Sequence, residues 1–199
     1  MSNSAEARTE AVSRAMEGLR ALFAAQELNR DSLKGVETLL AELIESRELF
    51  SSADFPEPSG DEEAKIYLLA EDEGSSNSLY LVCAASGTKA PAHDHQTWAA
   101  IGGLEGEEVN YIFERVDDGS EEGKAELKQT DTIVLRSGDS LAFMPDDIHG
   151  IEAKDGNTRH FHWYGKGFNE QHGRKAFVDG ACFEIPTGML PIDTSRKVI

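Results

Sequence analysis

Cysteine is scarce in this chain of 199 residues, which has Cys83 and Cys182 and no C-x-x-C pair. Two cysteines so far apart exclude a disulfide framework, and they also exclude the paired-cysteine type of zinc or redox site. We therefore expect both to be small core residues in a reducing compartment.

Basic residues and long apolar runs are also in short supply. Asp and Glu outnumber Lys and Arg by 37 to 19, which gives a formal net charge of −18. Proteins that bind phosphates usually carry a basic face, so this charge argues against nucleic acid or anionic lipid as partners. No stretch approaches the roughly 18 apolar residues of a membrane span, and no basic and apolar leader follows Met1. These features predict a cytoplasmic protein with no membrane partner.

The pattern of apolar residues changes near position 50. Before it, Val12, Met16 and Leu19 recur at helical spacing, and Leu33, Val36 and Leu40 do so after a polar break. The segment 51–61 contains Pro56, Pro58 and Gly60 and is typical of a linker. We expect a two-helix N-terminal extension over 1–50, a linker over 51–61 and one domain over 62–199.

Short β-like runs separated by turn residues fill the rest of the chain. The predicted strands are Lys65 to Leu69, Leu79 to Ala84, Ala92 to Ile101, Glu107 to Arg115, Glu126 to Leu135, Ser140 to Met144, His149 to Ala153, Arg159 to Tyr164 and Cys182 to Ile185. No helical pattern lies between them. The sequence therefore predicts an all-β domain, either an antiparallel sandwich or a jelly-roll barrel.

Histidines recur at alternating positions within these predicted strands. Successive side chains of a strand point to opposite faces, so His93 and His95 would share one face. For the same reason His160, His162 and Tyr164 would share a face, opposite Phe161 and Trp163. His149 follows a glycine turn, an apolar strand and a proline turn, and it is the third candidate ligand. A lone strand histidine is more often structural than a metal ligand, and His172 is better read as a loop residue.

The segments Gly87 to His95 and Gly138 to His149 resemble the two metal-binding motifs of the cupins. Within the cupins, the thiol dioxygenases (the cysteine dioxygenase and 3-mercaptopropionate dioxygenase group) are the most similar. That resemblance includes the His-Asp-His sequence, the alanines Ala99 and Ala100 where the cupin glutamate would stand, and the segment His162 to Gly165. It covers roughly residues 60–180 and implies a cupin double-stranded β-helix, or jelly-roll, barrel.

The resemblance implies that His93, His95 and His149 bind Fe(II), with Ni or Zn as alternatives in a recombinant preparation. Three neutral imidazoles leave the charge of a divalent metal uncompensated and favour an anionic ligand such as a thiolate. A structural zinc site would usually have a fourth protein ligand. By similarity, the Tyr164 hydroxyl would donate into the open coordination site and His162 would orient it, with His160 standing where the family has serine. Alternatively, Tyr164 is only a barrel-lining aromatic residue.

Substrate identity depends on positions that differ within the family. Ala100 corresponds to the cysteine that animal cysteine dioxygenases crosslink to tyrosine, and Tyr67 corresponds to their carboxylate-binding arginine. Arg174 lies about where the 3-mercaptopropionate type places its arginine, and it is the candidate carboxylate clamp, although it could equally be a surface residue. Gln96 is a further candidate for substrate binding.

The leading hypothesis is an enzyme, an Fe(II)-dependent thiol dioxygenase that uses O2 to convert a small thiol of the 3-mercaptopropionate or cysteine type into a sulfinic acid. One alternative is a three-histidine cupin dioxygenase that cleaves a carbon–carbon bond of a chelating substrate such as a β-diketone. Another is a non-catalytic, metal-dependent binding protein. The N-terminal helices could cover a barrel face or form a homodimer contact.

Overall fold

The computed structural model describes residues 3–188 and 190–199, and within these ranges two α-helices precede ten β-strands. This confirms the predicted all-β fold with an N-terminal two-helix extension. None of the described helices is long and apolar enough to cross a bilayer. The elements are α1 (Asn3–Ala25), α2 (Arg30–Ile44), β1 (Ala64–Asp72), β2 (Ser76–Ala84), β3 (Lys89–His93), β4 (Ala99–Arg115), β5 (Leu127–Leu135), β6 (Ser140–Phe143), β7 (Ile148–Lys166), β8 (Lys175–Val178), β9 (Ala181–Glu184) and β10 (Ile192–Asp193).

Helix α2 begins at a capping box and lies against the barrel. The Asn29 side chain accepts hydrogen bonds from the backbone N–H groups of Asp31 and Ser32, and the Asn29 N–H donates to the Ser32 hydroxyl. The buried stripe of α2 reaches β4 at Gly102, where an added Cβ would lie 2.9 Å from Leu40 Cγ. Glycine at this position therefore permits the close approach of helix and strand.

Both helices cover one outer face of the barrel, which is one of the two roles considered for them. The apolar stripe of α1, with Val12 and Met16, belongs to the same buried cluster as Trp163 of β7. The Phe50 and Phe161 rings meet edge to face with centroids 4.8 Å apart. We call the two helices together with the 3-10 turn Arg47–Phe50 the helical layer.

The barrel is built around an antiparallel ribbon of β4 and β7. The pairing runs from Ala99 opposite Tyr164 to Ile112 opposite His149, with irregularities around Glu105. Gly106, with φ of 76°, lies beside these irregularities. The ribbon bends back on itself, because the His95 ring lies 5.1 Å from both the His149 and Tyr164 rings, which stand at opposite ends of the pairing. A paired ribbon wound in this way is a double-stranded β-helix.

The predicted strand boundaries need correction at three places. The predicted strand Ala92 to Ile101 is wrong, because β3 ends at His93 and β4 begins at Ala99. The two predicted strands at 149–153 and 159–164 belong to the single long strand β7. Strand β8, which pairs with β3, was not predicted. The cysteines are free as expected, but Cys83 is buried whereas Cys182 is only half-buried.

Candidate metal centre

Three buried histidines converge inside the barrel. His93 ends β3 and is paired in register with His149 of β7, while His95 belongs to the turn that connects β3 to β4. The Nε2 atoms of His95 and His149 are 2.9 Å apart, and the three ring centroids are 4.7 to 5.1 Å from one another. No member is more than 5% exposed. We call these three residues the histidine triad.

His95 reaches the triad through a turn and not through strand alternation. Its neighbour Asp94 is buried and accepts hydrogen bonds from the Lys175 backbone N–H and the Gln96 amide. Gln96 has φ of 53°, a left-handed conformation that ends the extended backbone. Face alternation was therefore the wrong reason for placing His93 and His95 together, although the structure does bring them together.

The hydrogen bonds of the triad leave Nε2 lone pairs at its centre. His93 Nδ1 is 2.8 Å from the Pro91 carbonyl oxygen, and His149 Nδ1 is 2.8 Å from Asn110 Oδ1. Both oxygens can only accept, so each Nδ1 donates and each Nε2 is unprotonated. Burial lowers the pKa of His93 to about 3 and holds the pKa values of His95 and His149 well below the usual range. Neutral imidazoles gathered in this way fit a divalent transition metal.

Glu108 and Asn110, which the sequence reasoning missed, fix the orientation of His149. The Asn110 amide nitrogen donates to the Glu108 carboxylate at 3.1 Å, and this places the amide oxygen toward His149. Burial raises the pKa of Glu108, but the charges and hydrogen bonds of its neighbours outweigh burial and bring it to about 2. The sequence offered one weak signal for them: Glu108 and Asn110 flank Val109 in a predicted strand, so both polar side chains would lie on the same face.

No carboxylate joins the triad from the start of β4. Ala99 faces the barrel interior and is paired with Tyr164, whereas Ala100 belongs to the cluster under the helical layer. The residue beside Tyr164 is therefore Ala99 and not Ala100, to which the crosslinking cysteine was aligned. The conclusion that no thioether can form is unchanged, because both positions are alanine.

The His162 and Tyr164 side chains are adjacent to the triad. His162 Nδ1 lies 2.9 Å from the Tyr164 hydroxyl oxygen. Burial raises the pKa of Tyr164, so its hydroxyl stays protonated, and burial lowers the pKa of His162 to about 4. Phe161 and Trp163 face the helical layer, as the alternation of the strand predicts.

Arg174 lies immediately before β8 and close to the triad. Its Nε donates to the Asp94 backbone oxygen at 3.0 Å, and burial lowers its pKa. Its charge further lowers the pKa values of all three triad histidines. Within residues 3–188 and 190–199, no carboxylate lies within ion-pair distance of the Arg174 side chain. The guanidinium is therefore available to a ligand.

The remaining candidates lie in different surroundings. His160 is 1% exposed, with its Nδ1 3.3 Å from Glu108 Oε2. Gln96 is exposed and its amide donates to Asp94, so the structure does not bring this side chain into the buried site. His172 has a 70% exposed side chain, as expected of a loop residue. Tyr67 faces the helical layer and donates to the Pro56 carbonyl, away from the barrel interior.

A surface pocket of about 780 Å³ lies outside the triad, against β3 and the chain segment before β5. Its lining includes Pro91, Phe113 and Phe177 together with several acidic residues, and it contains no histidine. Pockets of this size are the usual first candidates for a ligand site. Here the groups able to bind a metal lie in the barrel interior.

Comparisons with known proteins identify relatives at the level of fold. No family model matches the chain. No curated protein matches it either. Among solved structures, it is similar to a cupin superfamily protein from Desulfitobacterium hafniense, with 17% identity over 59% of this chain and 90% of that one and a TM-score of 0.43. A double-stranded β-helix protein from Klebsiella pneumoniae has 16% identity over 64% and 89% of the two chains, with a TM-score of 0.46. An oxalate oxidase bound to the substrate analogue glycolate has 20% identity over 59% of both chains, with a TM-score of 0.42.

Proposed function

We propose that the protein is an Fe(II)-dependent thiol dioxygenase acting on a small thiol that carries a carboxylate. The observation that carries the proposal is a buried triad of neutral imidazoles, without a carboxylate ligand, beside an arginine that forms no ion pair with a carboxylate among the described residues. When bound, Fe(II) supplies the redox chemistry that transfers both atoms of O2 to a thiolate sulfur to give a sulfinate.

The charge of the site supports an anionic substrate. Three neutral histidines contribute no charge against the two positive charges of the metal, and the Arg174 guanidinium adds a third. The ionised Glu108 carboxylate, which reaches His149 through Asn110, offsets only one of these charges. A thiol that also carries a carboxylate brings two negative charges once it is deprotonated. Its thiolate and carboxylate together neutralise most of the charge that the protein leaves unbalanced.

Arg174 would bind the substrate carboxylate. A guanidinium can bind a carboxylate through two parallel hydrogen bonds, and the Arg174 Nε bond to the Asp94 carbonyl restricts the orientation of its plane. Asp94 lies between His93 and His95 in the sequence. The hydrogen bond from Arg174 to Asp94 would therefore hold the substrate carboxylate at a fixed distance from the histidine triad.

Tyr164 and His162 would control a proton beside the reacting sulfur. The Tyr164 ring packs against His95, so its hydroxyl can donate a hydrogen bond to an oxygen or sulfur atom of the substrate. His162 holds that hydroxyl in place through its Nδ1. Because burial keeps the Tyr164 pKa high, the group acts as a hydrogen-bond donor and not as an anion.

Oxygen consumption by the purified, Fe(II)-loaded chain tests this function. The panel should pair 3-mercaptopropionate and cysteine with an uncharged thiol and a β-diketone, and labelled O2 should be followed by mass spectrometry. We expect uptake with the carboxylate thiols and two labelled oxygens in the sulfinate product. Uptake only with the diketone would favour carbon–carbon cleavage, and bound metal without any uptake would favour a binding protein.

A further inference from the structure

A second cluster of metal-binding side chains lies in the barrel beside the triad. Glu108, His160 and His162 each offer one ligand atom, and these atoms lie within 4.8 Å of one another. All three residues are buried, at 4%, 1% and 5% exposure. Glu108 comes from β4, and both histidines come from the inner face of β7.

Three ring nitrogens in this cluster have no hydrogen-bond partner. These are both nitrogens of His160 and Nε2 of His162. Buried polar atoms are nearly always paired, so unpaired nitrogens on two neighbouring imidazoles beside a carboxylate require an explanation. The opposite nitrogen of His162 is already engaged with Tyr164, so only its Nε2 remains free for another partner.

An ion pair between Glu108 and His160 does not account for these atoms. The contact of 3.3 Å between His160 Nδ1 and Glu108 Oε2 helps to lower the pKa of Glu108, but its geometry is poor for a hydrogen bond, and it would leave the other two nitrogens unpaired. Two donors bound tetrahedrally to one metal at about 2.1 Å are about 3.4 Å apart, which matches this contact. A single cation would satisfy one nitrogen of each histidine together with the carboxylate.

We propose that Glu108, His160 and His162 form a second metal-binding site, distinct from the histidine triad and selective for divalent first-row transition ions. Two imidazoles and one carboxylate suit Fe(II) or Zn(II), whereas Mg²⁺ and Ca²⁺ prefer ligand sets made of oxygen. Glu108 supplies one negative charge to offset the cation. The proposal does not depend on which substrate the triad acts upon.

Occupancy of the second site would determine the proton position on His162. A metal on Nε2 leaves the proton on Nδ1, which then donates to the Tyr164 oxygen. The Tyr164 hydroxyl hydrogen is thereby free to point away from His162. Glu108 also reaches His149 through Asn110, so the two sites share one hydrogen-bonded network.

Metal stoichiometry of the full, metal-stripped chain tests the proposal. We expect Zn(II) titration followed by desalting and elemental analysis to give two ions per chain. His160→Gln should retain one ion, His149→Gln should retain one, and the double variant should retain none. Co(II) added to His149→Gln should give an absorption spectrum of the second site alone.

Matched controls separate the site from general surface binding. Glu108→Gln removes the charge but keeps an oxygen that can accept from Asn110, so one ion should be lost. Glu107→Gln, next to it on the opposite face and paired with Arg136, should keep both ions, as should exposed His172→Gln. The proposal is overturned if the unmodified chain saturates at one ion that His149→Gln removes, or if two ions persist in Glu108→Gln or in His160→Gln. Since each of these last two variants removes one ligand of the second site, either one is a sufficient test if the other does not fold. Thiol oxidation with one ion bound would overturn the second site while leaving the proposed function intact.

Discussion

His95 differs from its two partners in that its Nδ1 makes no hydrogen bond. Replacement of His149 would leave Asn110 without its partner, whereas replacement of His95 breaks no bond outside the triad. We therefore expect His95→Ala to lose the triad metal while the metal-free barrel stays folded. Metal analysis and circular dichroism measure the two properties, with His172→Ala as control. Full occupancy of the triad in the His95 variant would refute the ligand assignment.

The Tyr164 hydroxyl can be removed without disturbing the packing of its ring. The ring lies 4.6 Å from that of Phe168, a contact that phenylalanine would keep. For Tyr164→Phe we expect unchanged metal content and a fall in turnover of about 100- to 1000-fold, the range for loss of one catalytic hydrogen-bond donor. Steady-state oxygen uptake measures the effect. Unchanged kinetics would reduce Tyr164 to a packing residue.

Arg174 can be tested by a comparison of two substrates. With Arg174→Lys the positive charge remains but the two-pronged hydrogen bond is lost, and with Arg174→Ala both are lost. We expect the KM for a carboxylate thiol to rise about tenfold or more in the alanine variant, with a smaller rise for an amine thiol. An equal change for both substrates would remove Arg174 from the proposed role.

The convergence of His93, His95 and His149 was predictable from sequence, because closely spaced histidines on neighbouring β-like runs are unusual in a chain with six histidines. His160, His162 and Tyr164 were also placed on the correct face, since strand alternation held there. Glu108 was not placed, because the only local signal, polar residues on either side of Val109, is weak in a chain with 37 acidic residues. The position of Gln96 was not predictable either, because its backbone conformation reverses the expected face.

Strand β4 depends on a glycine where it passes the turn before β6. A Cβ on Gly103 would lie 2.2 Å from the backbone oxygen of Arg136, which cannot move independently of its strand. We expect Gly103→Ala to lower the free energy of unfolding by roughly 1–3 kcal/mol, as measured by urea denaturation. Gly18→Ala in α1 is the control, because its Cβ would meet only a flexible Leu39 methyl group. Equal stability of the two variants would contradict the assigned role of Gly103.

The segment between β3 and β4 shows why the boundaries of elements were less predictable than the positions of the buried histidines. Ala92 to Ile101 has the composition of a strand, but Asp94 forms a hydrogen bond with the Lys175 backbone 81 positions away. A contact of that sequence separation leaves no local pattern. The same dependence explains why β8, which pairs with β3, was not predicted.

At the scale of the whole molecule, the buried histidines predict acid sensitivity of the metal-free protein. Burial keeps His93, His95, His149 and His162 neutral when folded, whereas in the unfolded chain each binds a proton near pH 6.5. The unfolded state therefore gains protons first as pH falls, and stability is lost below about 6.5, down to about 4 for His162 and to about 3 for His93. Each group contributes about 1.4 kcal/mol per pH unit, so two units approach the total stability of a typical domain.

We expect the metal-free chain to unfold cooperatively near pH 5. Urea midpoints measured at intervals between pH 7 and 4 in the presence of a chelator would test this. A midpoint that stays constant over that interval would contradict the assignment of neutral, buried imidazoles.

The seam between the helical layer and the barrel contains both tryptophans of the chain. Trp98 lies 5.5 Å from Phe23 of α1 and 6.4 Å from Trp163, measured between ring centroids. Trp98 also follows His95 by three residues in the same turn. Tryptophan fluorescence, excited selectively near the red edge of the absorption band, therefore arises from this seam, and its emission wavelength will report detachment of the helices without any attached dye. A bound metal ion that quenches indole emission would lower this fluorescence, so the same two rings would also report metal binding in the barrel.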